Sequence, residues 1–146
     1  MVISQYMAPE HRECDTLFAQ AESYVASNEW EQAGEAYLHF ANDILLHFKK
    51  EEEILFPAFE KQTGGAQGPT QVMVFEHEQV RGLINKMAEA VENKDRDAYL
   101  SLAESMMILL QQHNMKEEQM LYAMCDRVIE SEHRNELIGE MEQERL

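Results

Sequence analysis

Apolar residues recur along most of this chain at steps of three and four, the spacing of one face of a helix. His11, Cys14, Phe18, Ala21 and Val25 form one stripe, and Phe40, Ile44, His47, Glu51, Leu55 and Ala58 a second. Met73, His77, Val80, Ile84, Met87 and Val91 form a third. The fourth runs through Leu102, Met106, Leu109, His113, Glu117, Met120 and Met124. No stretch alternates with the period of a strand. Pro9 suits a first helical position, so the first helix is expected at about 9–27. Asn28 and Glu31 read as a capping box opening the second, which continues to about Gln62, with Pro57 kinking it near its end. The breaker at 63–69 follows, then helices at about 70–93 and 97–128 joined by a short polar turn at 94–97. Such short connections join antiparallel neighbours. The expected architecture is all-α, an up-down-up-down four-helix bundle over about 9–128. A C-terminal extension, about 130–146, carries Leu137, Ile138 and Met141 and reads as a short outer helix. The whole of 1–146 reads as one domain.

Two of these stripes contain ionisable residues where apolar ones are expected. Residues 47–56 and 113–122 align without gaps as His-x-x-Lys-Glu-Glu-x-(Ile/Met)-Leu-(Phe/Tyr). Residues four apart lie one turn apart on one helix face, so each copy sets an imidazole beside a carboxylate. An ionised carboxylate in a core is costly unless it is paired or binds a metal. A His–Glu hydrogen bond at the bundle rim would serve one such pair, and a metal ion would serve both together. His11 and His77 lie early in their helices, whereas His47 and His113 lie late in theirs. In alternating helices, early and late positions meet at one end. The candidate ligands are therefore His11, His47, Glu51, His77, His113 and Glu117. His39 lies about 80° round the helix from His47 and reads as an interfacial or surface residue, and His133 in the charged C-terminal segment reads as solvated.

Composition narrows the partners. The formal net charge of −16 opposes nucleic acid or an anionic membrane surface as partner. No apolar run has the length of a transmembrane helix and the first residues lack a signal-peptide pattern. Cys14 and Cys125 build neither a disulfide framework nor a thiolate metal motif. The expectation is a cytoplasmic protein in a reducing compartment, with both cysteines in or near the core.

In these residues the chain resembles the hemerythrin family of cation-binding bundles. The matching pieces are Glu10-His11, His47-x-x-x-Glu51 with Leu55-Phe56-Pro57, the run Glu76 to Arg81, and His113-x-x-x-Glu117 with Leu121-Tyr122. The resemblance implies a non-haem di-iron centre, two Fe ions bridged by carboxylates and an oxo or hydroxo group. His11, His47, His77 and His113 would be terminal ligands, and Glu51 and Glu117 the bridges. The oxygen carriers place the last acid five residues after its His, which would choose Glu118. The internal repeat and the stripe favour Glu117. Nitrogen and oxygen donors without thiolates suit iron or manganese, with zinc also possible. The carriers also have a further histidine where this chain has Met73, which implies more room for water or an exogenous molecule at one iron. Binding or sensing of O2 or a related molecule such as NO is the implied function. The alternatives are nitric oxide or peroxide reduction, iron-sulfur cluster repair, iron storage, or an interaction bundle with a structural metal.

Overall fold

The computed structural model describes residues 1–65 and 68–146. Among these residues the secondary structure is helical throughout, with no strand. Helix α1 spans Ile3–Ala26 and α2 spans Trp30–Lys50. A π-helical turn, π1, spans Glu51–Leu55 and passes without a break into α3, Phe56–Gln62. Then come α4 at Gly68–Glu92 and α5 at Arg96–Lys116. A second π-turn, π2 at Glu117–Leu121, leads into α6 at Tyr122–Val128, and α7 spans Ser131–Gln143. The expected stretches are thus present, and the breaker at 63–69 ends α3, although its Ala66 and Gln67 lie outside the described residues.

Two helix starts differ from the sequence reading. Helix α1 begins at Ile3, and Pro9 lies inside it. The reason is tertiary: the Asp126 carboxylate accepts from the Ile3 and Ser4 amides at 2.6 and 3.3 Å and from the Ser4 hydroxyl at 2.8 Å. This satisfies donors that a helix start leaves open. Asn28 does not cap α2. It takes a left-handed φ of 57°, and the Asn28 and Glu29 amides donate back to Val25 and Tyr24. That pattern is a Schellman ending of α1, with Asn tolerating the conformation better than most residues. Lys94 ends α4 in the same way, and the Asp95 side chain then caps α5 by accepting from the Ala98 amide.

The long helices form a bundle in which α1 packs on α2, α2 on α4, α4 on α5 and α5 on α1. Its apolar interior is in two parts. One holds Phe18, Phe40, Ile44, Phe48, Val80, Ile84, Tyr99 and Met106 among others. The second holds Ile3, Met7, Leu55, Phe56, Met73, Leu121, Tyr122 and the three apolar residues of α7, Leu137, Ile138 and Met141. Along α1, α4 and α5 the change from one part to the other falls at a buried histidine, and from α2 into α3 it falls at buried Glu51. Helix α7 lies against π1 and α1, as expected of an outer helix. Cys14 and Cys125 are buried and unpaired. No helix among the described residues is long and apolar enough to cross a membrane.

Candidate metal centre

Between the two apolar parts lie six fully buried ionisable residues, His11, His47, Glu51, His77, His113 and Glu117. They are the six that the sequence patterns single out. In each copy of the repeat the α-helix runs to the lysine and the π-turn begins at the inward glutamate. The Phe56 amide bonds the Glu51 carbonyl five residues back, and Tyr122 bonds Glu117 likewise. The wider turn sends two consecutive side chains inward after each glutamate. Leu55 and Phe56 are buried together, as are Leu121 and Tyr122. It also turns Met120 outward, 60% exposed, against the sequence expectation that it lies on the inner stripe. A π-turn inside an α-helix is rare and often marks a functional site.

Each imidazole is held from behind by a carboxylate. Nδ1 of His47 donates to Glu10 at 2.8 Å, and Nδ1 of His113 to Glu76 at 2.8 Å. Nδ1 of His11 donates to Glu118 at 2.7 Å, and Nδ1 of His77 to Glu52 at 2.5 Å. A carboxylate on Nδ1 fixes the proton there and turns Nε2 inward as the donor atom, the usual support for a metal-binding histidine. Lys50 in turn pins Glu10, Lys116 pins Glu76, and Arg81 pins Glu52. Glu118 is therefore not in the centre; it orients His11.

Around the centre, donor atoms converge in two sets, each with its members within 4.8 Å of one another. Glu51, His77, His113 and Glu117 form one set; His11, His47 and Glu117 form the other. Glu117 belongs to both. His77 Nε2 is 3.1 Å from Glu51 Oε1, and His113 Nε2 is 3.3 Å from Glu117 Oε1. These are ion-pair distances, yet both nitrogens, Glu51 Oε1 and Glu117 Oε2 lack a hydrogen-bond partner among the described residues. Buried polar atoms are rarely left so. Nitrogen and carboxylate oxygen atoms that converge without hydrogen bonds to satisfy them are what a cation requires, so the residues fit one.

The electrostatics agree. Burial should lower the His47 pKa, but Glu51, Glu10 and Glu117 outweigh it and hold the imidazole well above its ordinary value. His77 rises against burial through Glu51 and Glu52. His113 rises to about 9 against burial, through Glu117, Glu51 and Glu76. Burial and the charge of Glu117 push Glu51 up, whereas the close approach of Glu51 and of the His11, His113 and His47 imidazoles holds Glu117 well below the carboxylate range despite burial. In the metal-free chain protons thus stand in for cations, and a metal must displace them.

One group at the centre was not placed by the stripes. The Tyr122 hydroxyl donates to Glu51 Oε2 at 2.7 Å and lies 3.0 Å from Glu117 Oε1. It also lies 3.2 and 3.3 Å from Nε2 of His11 and His47. The supporting roles of Glu10, Glu52, Glu76 and Glu118 were likewise missed, Glu118 reading from the sequence only as a candidate ligand. Their signal was present: Glu10, His11, His47, Glu51 and Glu52 recur 66 positions later as Glu76, His77, His113, Glu117 and Glu118. His39 is exposed and His133 half-buried, and neither joins a ligand set. Met73 is buried in the apolar part with Leu55 and Leu121.

Neither the curated proteins nor the solved structures compared with this chain gave a match. The hemerythrin HHE cation-binding domain matches residues 2–125, nearly the whole bundle and every residue of both ligand sets. The match covers most of the chain, and the chain belongs to the hemerythrin HHE cation-binding family.

Proposed function

We propose that the chain holds two iron ions and binds or reacts with dioxygen or a related small molecule such as nitric oxide. The observation that carries this reading is the pair of buried donor sets sharing Glu117. Glu51, His77, His113 and Glu117 would hold one ion, and His11, His47 and Glu117 the other. Iron supplies electrons to a diatomic ligand. The protein supplies the rest. The Nδ1–carboxylate bonds keep each Nε2 basic and aimed inward. Phe48, stacked on His77 with centroids 3.8 Å apart, and buried Ile44, Val80 and Met106 keep water from one side. The Tyr122 hydroxyl fixes Glu51 Oε2 and keeps a proton at the centre, because burial and the charges of Glu117 and Glu51 hold its pKa far above the usual phenol value. The order of the two apolar parts reverses from each long helix to the next, which supports an up-down-up-down bundle that brings early and late histidines to one level. All of 1–146 is taken as one domain, since α7 buries its apolar residues against the bundle.

Metal content and the visible spectrum of anaerobically reduced protein, before and after oxygen is admitted, test the reading. Two iron ions per chain and an oxygen-dependent spectrum are expected. A folded chain that takes up no metal would sink the reading. One ion per chain removes the dinuclear centre, and bound zinc without spectral change leaves a structural metal. Reversal under vacuum separates binding from net oxidation of iron or reduction of the ligand.

A further inference from the structure

The two ligand sets differ in how they meet solvent. His77 is covered by the stacked Phe48 ring, and the Arg81 guanidinium lies over that ring, 5.5 Å from its centroid. Arg81 also clamps Glu52, the carboxylate behind His77. In the internal repeat of 66 residues, the counterpart of Phe48 is Asn114 and that of Arg81 is Asp15. At His11, therefore, a short amide replaces the aromatic cover and a carboxylate replaces the clamp. A surface pocket of about 320 Å³ opens at this place, lined by His11, Asp15, Gln111, Asn114 and Glu118 among others. Glu118 is the most exposed of the four supporting carboxylates, with 36% of its side chain accessible against 24% for Glu52. Among the described residues no lysine or arginine pairs with it. Arg12 also lines the pocket, and among the described residues no carboxylate is ion-paired with it.

Resting on the two-ion reading above, we propose that the ion held by His11, His47 and Glu117 is taken up and released through this pocket. The ion held by Glu51, His77, His113 and Glu117 is sealed. A hydrated divalent cation meets hard oxygen donors first, the carboxylates of Asp15 and Glu118 and nearby amide oxygens, which suit it while it still carries water. Rotation of the unclamped Glu118 then frees His11 to follow the ion. Around His77 the corresponding rotation is opposed by Arg81 and Phe48. The protein thus has one resident and one exchangeable position.

The test is release of ferrous iron from the anaerobically loaded chain into excess chelator, followed by the colour of the chelate. Two phases of equal amplitude are expected. Asp15→Arg installs the missing clamp and should slow the fast phase about tenfold, the lower end of what supporting residues contribute to metal affinity. Asn114→Phe should slow it by covering His11. Arg81→Asp should speed the slow phase by about the same factor. A single phase for both ions, or a fast phase unmoved by Asp15→Arg and Asn114→Phe, overturns the proposal while leaving two bound ions in place. A chain that takes up no iron overturns the two-ion reading and this one with it.

Discussion

The segment 10–57 and its counterpart 76–123 carry the same chemistry in different surroundings. Both supply a Glu-His pair, a later His, two adjacent glutamates and a π-turn starting at the first of them. They are interlocked: Glu52 of the first half holds His77 of the second, and Glu118 of the second holds His11 of the first. What repeats is what a pair of cations needs. What differs is informative in another way. Tyr122 stands where the first half has Phe56. Both rings stack on a histidine, Tyr122 on His11 at 5.7 Å and Phe56 on His77 at 6.0 Å between centroids, but only Tyr122 has a hydroxyl to reach the centre. The two donor sets are consequently unlike, one with four members and one with three beside a phenol.

Glu117 gives the sharpest way to break the near-symmetry, because it alone belongs to both sets. Glu117→Ala should take the bound metal from two ions to none. Glu51→Ala should leave the His11 and His47 position partly filled. The Glu117 variant also strips three imidazoles of a buried carboxylate, so its metal-free form should lose about 3–5 kcal/mol of stability. Metal analysis and denaturant titration of both variants check this, and equal metal losses from the two would mean that Glu117 is not shared.

A second test uses pH, and acts on both halves at once. His47, His77 and His113 have raised pKa values in the metal-free chain. Their contribution to stability is full below the unfolded value of about 6.5. It is lost as pH rises through the folded values, about 9 for His113. Glu117, held low, contributes above the ordinary carboxylate range and loses that contribution in acid. Metal-free protein should therefore be most stable near pH 5–6 and weaken toward pH 9, while metal affinity rises over the same interval as protons leave the imidazoles. Melting temperatures of the metal-free and loaded chain across pH 5–9 give both slopes. A metal-free chain whose stability rises toward pH 9 would contradict the assignment of those protons.

Tyr122→Phe makes the halves alike at this one position. It should keep two ions, since the phenol is in neither ligand set, but Glu51 Oε2 loses its donor. Leaving a buried acceptor unsatisfied costs about 1–3 kcal/mol in the metal-free chain. Loading with metal should recover part of that if Glu51 then turns to the cation. Loss of an ion would instead make the phenol oxygen a ligand of the His11 and His47 position.

The stripes reveal the helices and all six inward ionisable residues, because period and polarity are local properties of the chain. The start of α1 at Ile3 was hidden because its cap, Asp126, comes from the other end of the sequence. Met120 was misplaced because the 3.6-residue period fails across π2, where a wider turn brings Leu121 inward instead. The first copy already held the correction: Leu55, its counterpart, lies on the inner stripe. Tyr122 and the supporting glutamates were legible only through the repeat across whole helix pairs, since their partners sit on other helices.

Pro57 offers the finest distinction, between what the π-turn needs and what it merely tolerates. A proline that lacks an amide hydrogen is an obvious cause for a disturbed helix, and its place just after π1 suggests that it sets the turn. The second half argues otherwise, because π2 has the same length and position with Ala123 where the first half has Pro57. The common features of the two turns are the inward glutamate, its imidazole one turn earlier and the buried pair that follows. Pro57→Ala should therefore leave π1, metal content and release rates unchanged. The unfolded chain gains freedom worth about 0.4–1 kcal/mol, and the better helical propensity of alanine offsets it. The net change in stability should stay within about 1 kcal/mol, read from denaturant titration. Loss of metal from Pro57→Ala would show that the first half depends on a restraint the second does without.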